Sequence, residues 1–181
     1  DTRQHPTPYV TAQLQAEFRS PDHKTFLAPG FWDGGRRFVV RFSPDEAGEW
    51  VFRLSANFGD FTGKTGNFTA TASEDAGFIK PANLHHWRYT KSLKAHLWMG
   101  ATKEDFPVMP GGEFSAYVDE RAAQKFNHVR GVLEARAAPN LAYDQELDRR
   151  LRAMNAKGVF ADLVIDPSPK LFPTWQQRER Y

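Results

Sequence analysis

The chain has 181 residues, 40% hydrophobic and 14% aromatic, enough to bury one good core or two small ones and too apolar for disorder. Its 24 basic and 22 acidic residues leave a formal charge of +2 spread along the sequence, so no concentrated basic surface for nucleic acid is expected. With no cysteine there is no disulfide framework, thiolate metal site or cysteine nucleophile. No apolar run approaches the roughly 20 residues of a membrane span, and the amino terminus Asp1-Thr2-Arg3-Gln4-His5-Pro6 lacks the apolar core of a signal sequence.

From Val10 to Phe18 apolar and polar residues alternate, the period of a half-buried strand. Ser20 to Lys24 supply turn chemistry, and further strands are predicted at Thr25 to Leu27, Arg36 to Ser43, Glu49 to Ser55 and Gly66 to Ala72. Short strands at this spacing predict a β-sandwich over residues 1–72. Asp33-Gly34-Gly35 reads as a turn, and Asp45-Glu46 falls in a second one. Phe31, Trp32, Phe38, Phe42, Trp50 and Phe52 suit either a core or a sugar-stacking platform, and a small sandwich needs them first for its interior.

Residues 73–93 read as a linker, after which the pattern changes. Ala95 to Gly100 predicts a buried strand, Glu113 to Phe126 a helix, His128 to Glu134 a strand, Tyr143 to Lys157 a helix, and Val159 to Asp166 another strand. Leu147, Leu151 and Met154 form one stripe of the second helix, and Gly158 stands where it should stop. Three strands alternating with two helices imply a parallel sheet with right-handed crossovers.

Four motifs in order, Gly30-Phe31-Trp32-Asp33-Gly34-Gly35, Val40-Arg41-Phe42-Ser43-Pro44, Gly48-Glu49-Trp50 and Gly63-Lys64-Thr65-Gly66-Asn67-Phe68, resemble the immunoglobulin-like domain that precedes the barrel of apiosidase-like glycoside hydrolases. Arg121 to Gly131, Glu146 to Leu151 and Leu171 to Tyr181 resemble the first βα units of that barrel. The resemblance implies an immunoglobulin-like β-sandwich accessory domain followed, over residues 94–181, by the first three units of an incomplete (β/α)8 barrel. It also implies a secreted, periplasmic or cell-surface enzyme that hydrolyses a plant or algal polysaccharide. One departure stands out: many members carry Gly-Asp-Thr after the first strand, where this chain has Gly100-Ala101-Thr102. Because an eightfold barrel needs about 250 residues, the chain is expected to be an inactive fragment of a longer enzyme.

In such a barrel the residues just after each strand are the candidates: Thr102, Lys103 and Asp105, then Glu134 and Arg136, then Asp166. Glycosidases use paired carboxyl groups, about 5 Å apart when retaining and about 6.5–9.5 Å when inverting. Glu134 and Asp166 are the one such pair offered, yet the resemblance places the principal acids on strands beyond Tyr181. Lys103, Glu134, Asp166 and Trp175 are therefore expected to contact substrate, with the catalytic residues unassigned.

His85 and His86 are adjacent and point apart on a strand, so no metal site is expected there. His96 and His128 lie in predicted strands and read as hydrogen-bonded structural residues. No cofactor is expected; the expected partner is a carbohydrate substrate, without nucleic acid or membrane, and with a homo-oligomer allowed because an open sheet leaves an edge and a face to cover. The competing reading is a non-catalytic carbohydrate-binding or scaffold module, in which Trp32 or Trp50 would carry the binding.

Overall fold

The computed structural model describes residues 7–133 and 140–165. The chain divides into two compact units, residues 1–80 with 89–94, and residues 81–88 with 95–181.

The first unit opens with a single helical turn, α1 (Pro8–Thr11), whose Pro8 has a φ already suited to helix. Five strands follow: β1 (Leu14–Arg19), β2 (Thr25–Trp32), β3 (Phe38–Val40), β4 (Gly48–Ala56) and β5 (Thr65–Ala70). They form an antiparallel sheet in the order β3-β2-β1-β4-β5. The register sets Ala16 opposite Ala28 and Leu54, Phe18 opposite Phe26 and Phe52, and Trp50 opposite Phe68. Because side chains alternate with period two, these even-numbered residues share one face. That face is the core: Ala16, Phe18, Ala28 and Trp50 are buried, with Phe26, Phe52, Leu54, Phe68 and Ala70 packed around them.

Strand β2 pairs with β1 through Arg19↔Thr25 to Gln15↔Pro29, then with β3 from Gly30 to Trp32. The ribbon it makes with β3 brings Val40 and the following Phe42 against the core, where Phe42 stacks on Phe18 at 4.0 Å and meets Trp50 edgewise at 5.1 Å. The indole N–H of Trp50, which burial would otherwise leave unsatisfied, donates to the Glu46 carbonyl at 3.1 Å. The β2–β3 turn is built on Gly34 and Gly35, with φ of 98° and 53°, values that glycine adopts without steric cost.

Three short strands, β6 (Ile79–Pro81), β7 (Trp87–Tyr89) and β8 (Ala95–His96), make a small sheet in which Trp87 lies opposite His96.

The second unit continues with β9 (Gly100–Thr102), α2 (Gly111–Ala123), β10 (His128–Val132), α3 (Leu141–Asn155) and β11 (Phe160–Val164). The three strands are parallel in the order β11-β10-β9, and the register is Thr102↔Arg130↔Asp162 and Gly100↔His128↔Phe160. Odd-numbered residues of the sheet face the helices: Val129, Ala161 and Leu163 pack with Phe114, Val118, Leu147 and Met154, beside Phe106, Met109 and Val159. Gly131 has no side chain because Phe106 occupies that space; a Cβ there would lie 2.2 Å from the ring. Helix α3 starts on Asn140, whose side chain accepts from the Tyr143 N–H, and ends before Gly158 at φ 72°.

These observations correct the expected architecture. No immunoglobulin-like sandwich leads into the start of a (β/α)8 barrel. The described residues are mostly β structure in three open sheets, with two helices longer than one turn. In the first unit the core is one face of a single sheet closed over by Val40 and Phe42, not two facing sheets. In the second, the parallel sheet has three strands and free edges among the described residues; helical and strand periodicity specify crossovers, but nothing in them specifies closure.

Local boundaries shift too. Val10 to Thr11 belong to the helical turn rather than to the first strand, and Ala95 to Gly100 is interrupted at Leu97–Met99 rather than continuous.

Candidate functional site

Two places in the second unit gather polar groups. The first is the carboxyl end of the parallel strands, where ligands commonly sit in open α/β sheets. Lys103 follows β9 directly, its N–H donating to the Arg130 carbonyl at 2.9 Å. Its ammonium pairs with Asp105 at 2.7 Å, with both side chains partly exposed. That hydrogen bond raises the Lys103 pKa and lowers that of Asp105, fixing both as charged. Thr102 is exposed, one residue before. Glu134, Arg136, Asp166 and Trp175 lie outside the described residues.

The loop carrying these groups is held from beneath by Arg150 of α3. Its buried guanidinium donates to the carbonyls of Phe106 at 2.7 Å and Met109 at 2.6 Å, and to Glu146 at 2.9 Å, while lying 4.8 Å from the centre of the Phe114 ring. Hydrogen bonds from Arg149 and Arg150 hold the Glu146 carboxyl below its ordinary pKa. The rigid planar fork of arginine suits this task of joining one helix to two separate carbonyls.

The second place is the face of the parallel sheet opposite the helices. His128 is almost fully buried there, and its Nδ1 lies 2.9 Å from Asp162 Oδ1. Its Nε2 lies 2.8 Å from Nε2 of the buried His96. In the tautomer with hydrogen on Nδ1, His128 donates to Asp162 Oδ1 and its Nε2 accepts the Nε2 hydrogen of His96. Burial first, and the neighbouring His128 second, lower the His96 pKa, which favours its neutral form.

Aromatic rings enclose this chain. Trp98 lies flat on the His128 imidazole, with centroids 3.6 Å apart and planes 12° from parallel, and Phe160 stacks at 5.4 Å. Trp87 meets Trp98 at 5.4 Å. Among the described residues, no group of three or more acidic or histidine side chains is arranged to hold a metal ion.

The sequence reading of His96 and His128 as hydrogen-bonded residues agrees with this geometry, but it missed that they bond to each other and it passed over Asp162. A signal was available: Asp162 is the one charged residue in the apolar run Val159 to Ile165. A carboxylate in an otherwise apolar strand calls for a partner.

The aromatic residues of the first unit divide. Trp50 is fully buried, which removes it as a binding residue. Trp32 is half-buried against Tyr9 and donates to the Gly35 carbonyl at 3.0 Å, a role in the turn.

Comparison with known proteins places these features. Residues 1–57 match the model of a domain of unknown function, DUF5060. No curated protein matches the sequence. Among solved structures, a protein from Bacteroides vulgatus ATCC 8482, described as a "putative glycoside hydrolase", has the same fold over 91% of this chain, with TM-score 0.80 and 22% identity. The chain spans 39% of the length of that protein.

Proposed function

We propose that this chain is part of a carbohydrate-active protein that hydrolyses glycosidic bonds. The observation that carries this reading is the shared fold, since 91% of the chain superposes on a protein described as a "putative glycoside hydrolase". The apiosidase-like motifs, including Gly30 to Gly35 and Gly48-Glu49-Trp50, support the same class. In this reading the first unit is an accessory and the second carries the groups that face the sugar. The substrate is a plant or algal polysaccharide, and because such polymers do not cross membranes, the protein works outside the cytoplasm.

The histidine–aspartate chain fits a role in binding or in holding a proton beside the sugar. Hydrolysis itself needs two carboxyl groups about 5–9.5 Å apart, and Asp162, whose one oxygen is engaged by His128, is not assigned as either.

The test is release of reducing sugar from a panel of plant and algal polysaccharides by the protein at its natural length. Release from at least one polymer is expected. A well-folded preparation that cleaves none of them would overturn the assignment.

A further inference from the structure

We infer that Trp98, Asp162 and Arg130 form a subsite for one pyranose ring, on the face of the parallel sheet opposite the helices. The inference rests on the carbohydrate reading above and adds to it the residues and the mode of contact.

Trp98 is 45% exposed although one side of its indole is covered by His128. An exposed tryptophan is common enough, but this one is held in place. The Asn127 side chain accepts from the Met99 N–H at 2.8 Å and donates to the Leu97 carbonyl at 2.6 Å, gripping the backbone on both sides of residue 98. The Met99 carbonyl accepts from the N–H groups of Asn127 and His128 at 3.0 and 3.1 Å. Trp87 borders the indole at a tilt of 56°. The ring is thus fixed before any ligand arrives, which lowers the ordering cost of binding.

The polar requirement is met next to it. Asp162 uses Oδ1 for His128, while Oδ2 has no hydrogen-bond partner among the described residues, and the side chain is 32% exposed. Arg130, beside Asp162 in the register and on the same face, is exposed, and its guanidinium has no partner among the described residues. One imidazole therefore carries an aromatic plane on its flat side and a carboxylate at its edge, with a guanidinium donor one strand position further on. A pyranose has a matching shape: a patch of C–H groups on its face and hydroxyls around its rim that both donate and accept. Trp98 takes the face, Asp162 accepts from hydroxyls and Arg130 donates to them. Binding here is non-covalent and does not require Asp162 to act in bond cleavage.

The experiment is calorimetric titration of the full chain with cellohexaose, xylohexaose and mannohexaose, alongside polysaccharide binding and cleavage. Binding of at least one oligosaccharide is expected, with Trp98→Ala weakening it about tenfold or more and Trp98→Phe retaining part of it. Arg130→Ala, at an exposed position that leaves the core intact, should weaken the same oligosaccharide several-fold. Should Trp98→Ala fail to fold, Arg130→Ala and protection of tryptophan emission from acrylamide by the bound sugar decide the matter. Unchanged binding in both the Trp98 and Arg130 variants, in a protein that still binds or cleaves carbohydrate, overturns the subsite and leaves the functional reading standing. If no carbohydrate is bound or cleaved, both fall.

Discussion

His96 and His128 meet Nε2 to Nε2 at 2.8 Å, and one hydrogen serves both nitrogens. Burial keeps His96 below the usual imidazole pKa of 6.5. The unfolded chain takes up a proton near that value while the folded chain resists it, so this contribution to stability is whole above about pH 6.5 and is lost as pH falls through the folded pKa. The urea midpoint should therefore decrease between pH 7 and pH 5. His96→Gln should flatten that part of the dependence; an equally steep profile in the variant would show that His96 does not cause it.

Arg150 offers a sharper test of packing. Replacing it with alanine strands the carbonyls of Phe106 and Met109 and removes one of the two arginine partners of Glu146. The expected loss is about 3–5 kcal/mol in equilibrium unfolding, as for breaking a buried, charge-assisted network. Arg150→Lys should recover little, because an ammonium cannot span two carbonyls and a carboxylate in one plane.

Gly131 and Phe106 compete for one volume. Gly131→Ala should destabilise by about 1–3 kcal/mol through overpacking. Adding Phe106→Leu should restore part of that loss, and a double-mutant cycle measures the coupling. Simple additivity of the two changes would mean the ring moves aside freely.

Asn127 should prove more sensitive than its partial exposure suggests. Asn127→Ala removes both side-chain bonds to residues 97 and 99, at an expected cost of about 1–2 kcal/mol. Asn127→Asp can still accept from Met99 but cannot donate to Leu97, so it should fall between the two. Thermal unfolding of the three proteins gives the order.

Much of the backbone was legible in the sequence, for identifiable reasons. The alternation through Trp50, Phe52 and Leu54 marks the inner face of β4, and the stripe Leu147, Leu151 and Met154 with Gly158 behind it marks α3 and its end. Such signals are local. The site is not: His96, His128 and Asp162 lie 32 and 34 residues apart along the chain, and their meeting depends on the parallel register, which crossovers set and composition does not. The interruption at Leu97–Met99 escaped for a similar reason. Its apolar residues read as buried strand, but the side chain that diverts them, Asn127, lies about thirty positions away. The architecture at large was misjudged because period and spacing predict elements and crossovers, while the number of strands and the closure of a sheet depend on partners that no local pattern names.

The grip of Arg150 on Phe106 and Met109 has a consequence for how the second unit can be cut or permuted. The β9–α2 connection takes its form from a helix that follows it by some forty residues, so it has no template of its own. A chain ending before α3 would leave two carbonyls without their donor, and Lys103 and Asp105 would lose their support. Domain dissection of this protein should therefore keep residues 95–165 as one piece, because the strand ends and the helix that steadies them are not separable modules.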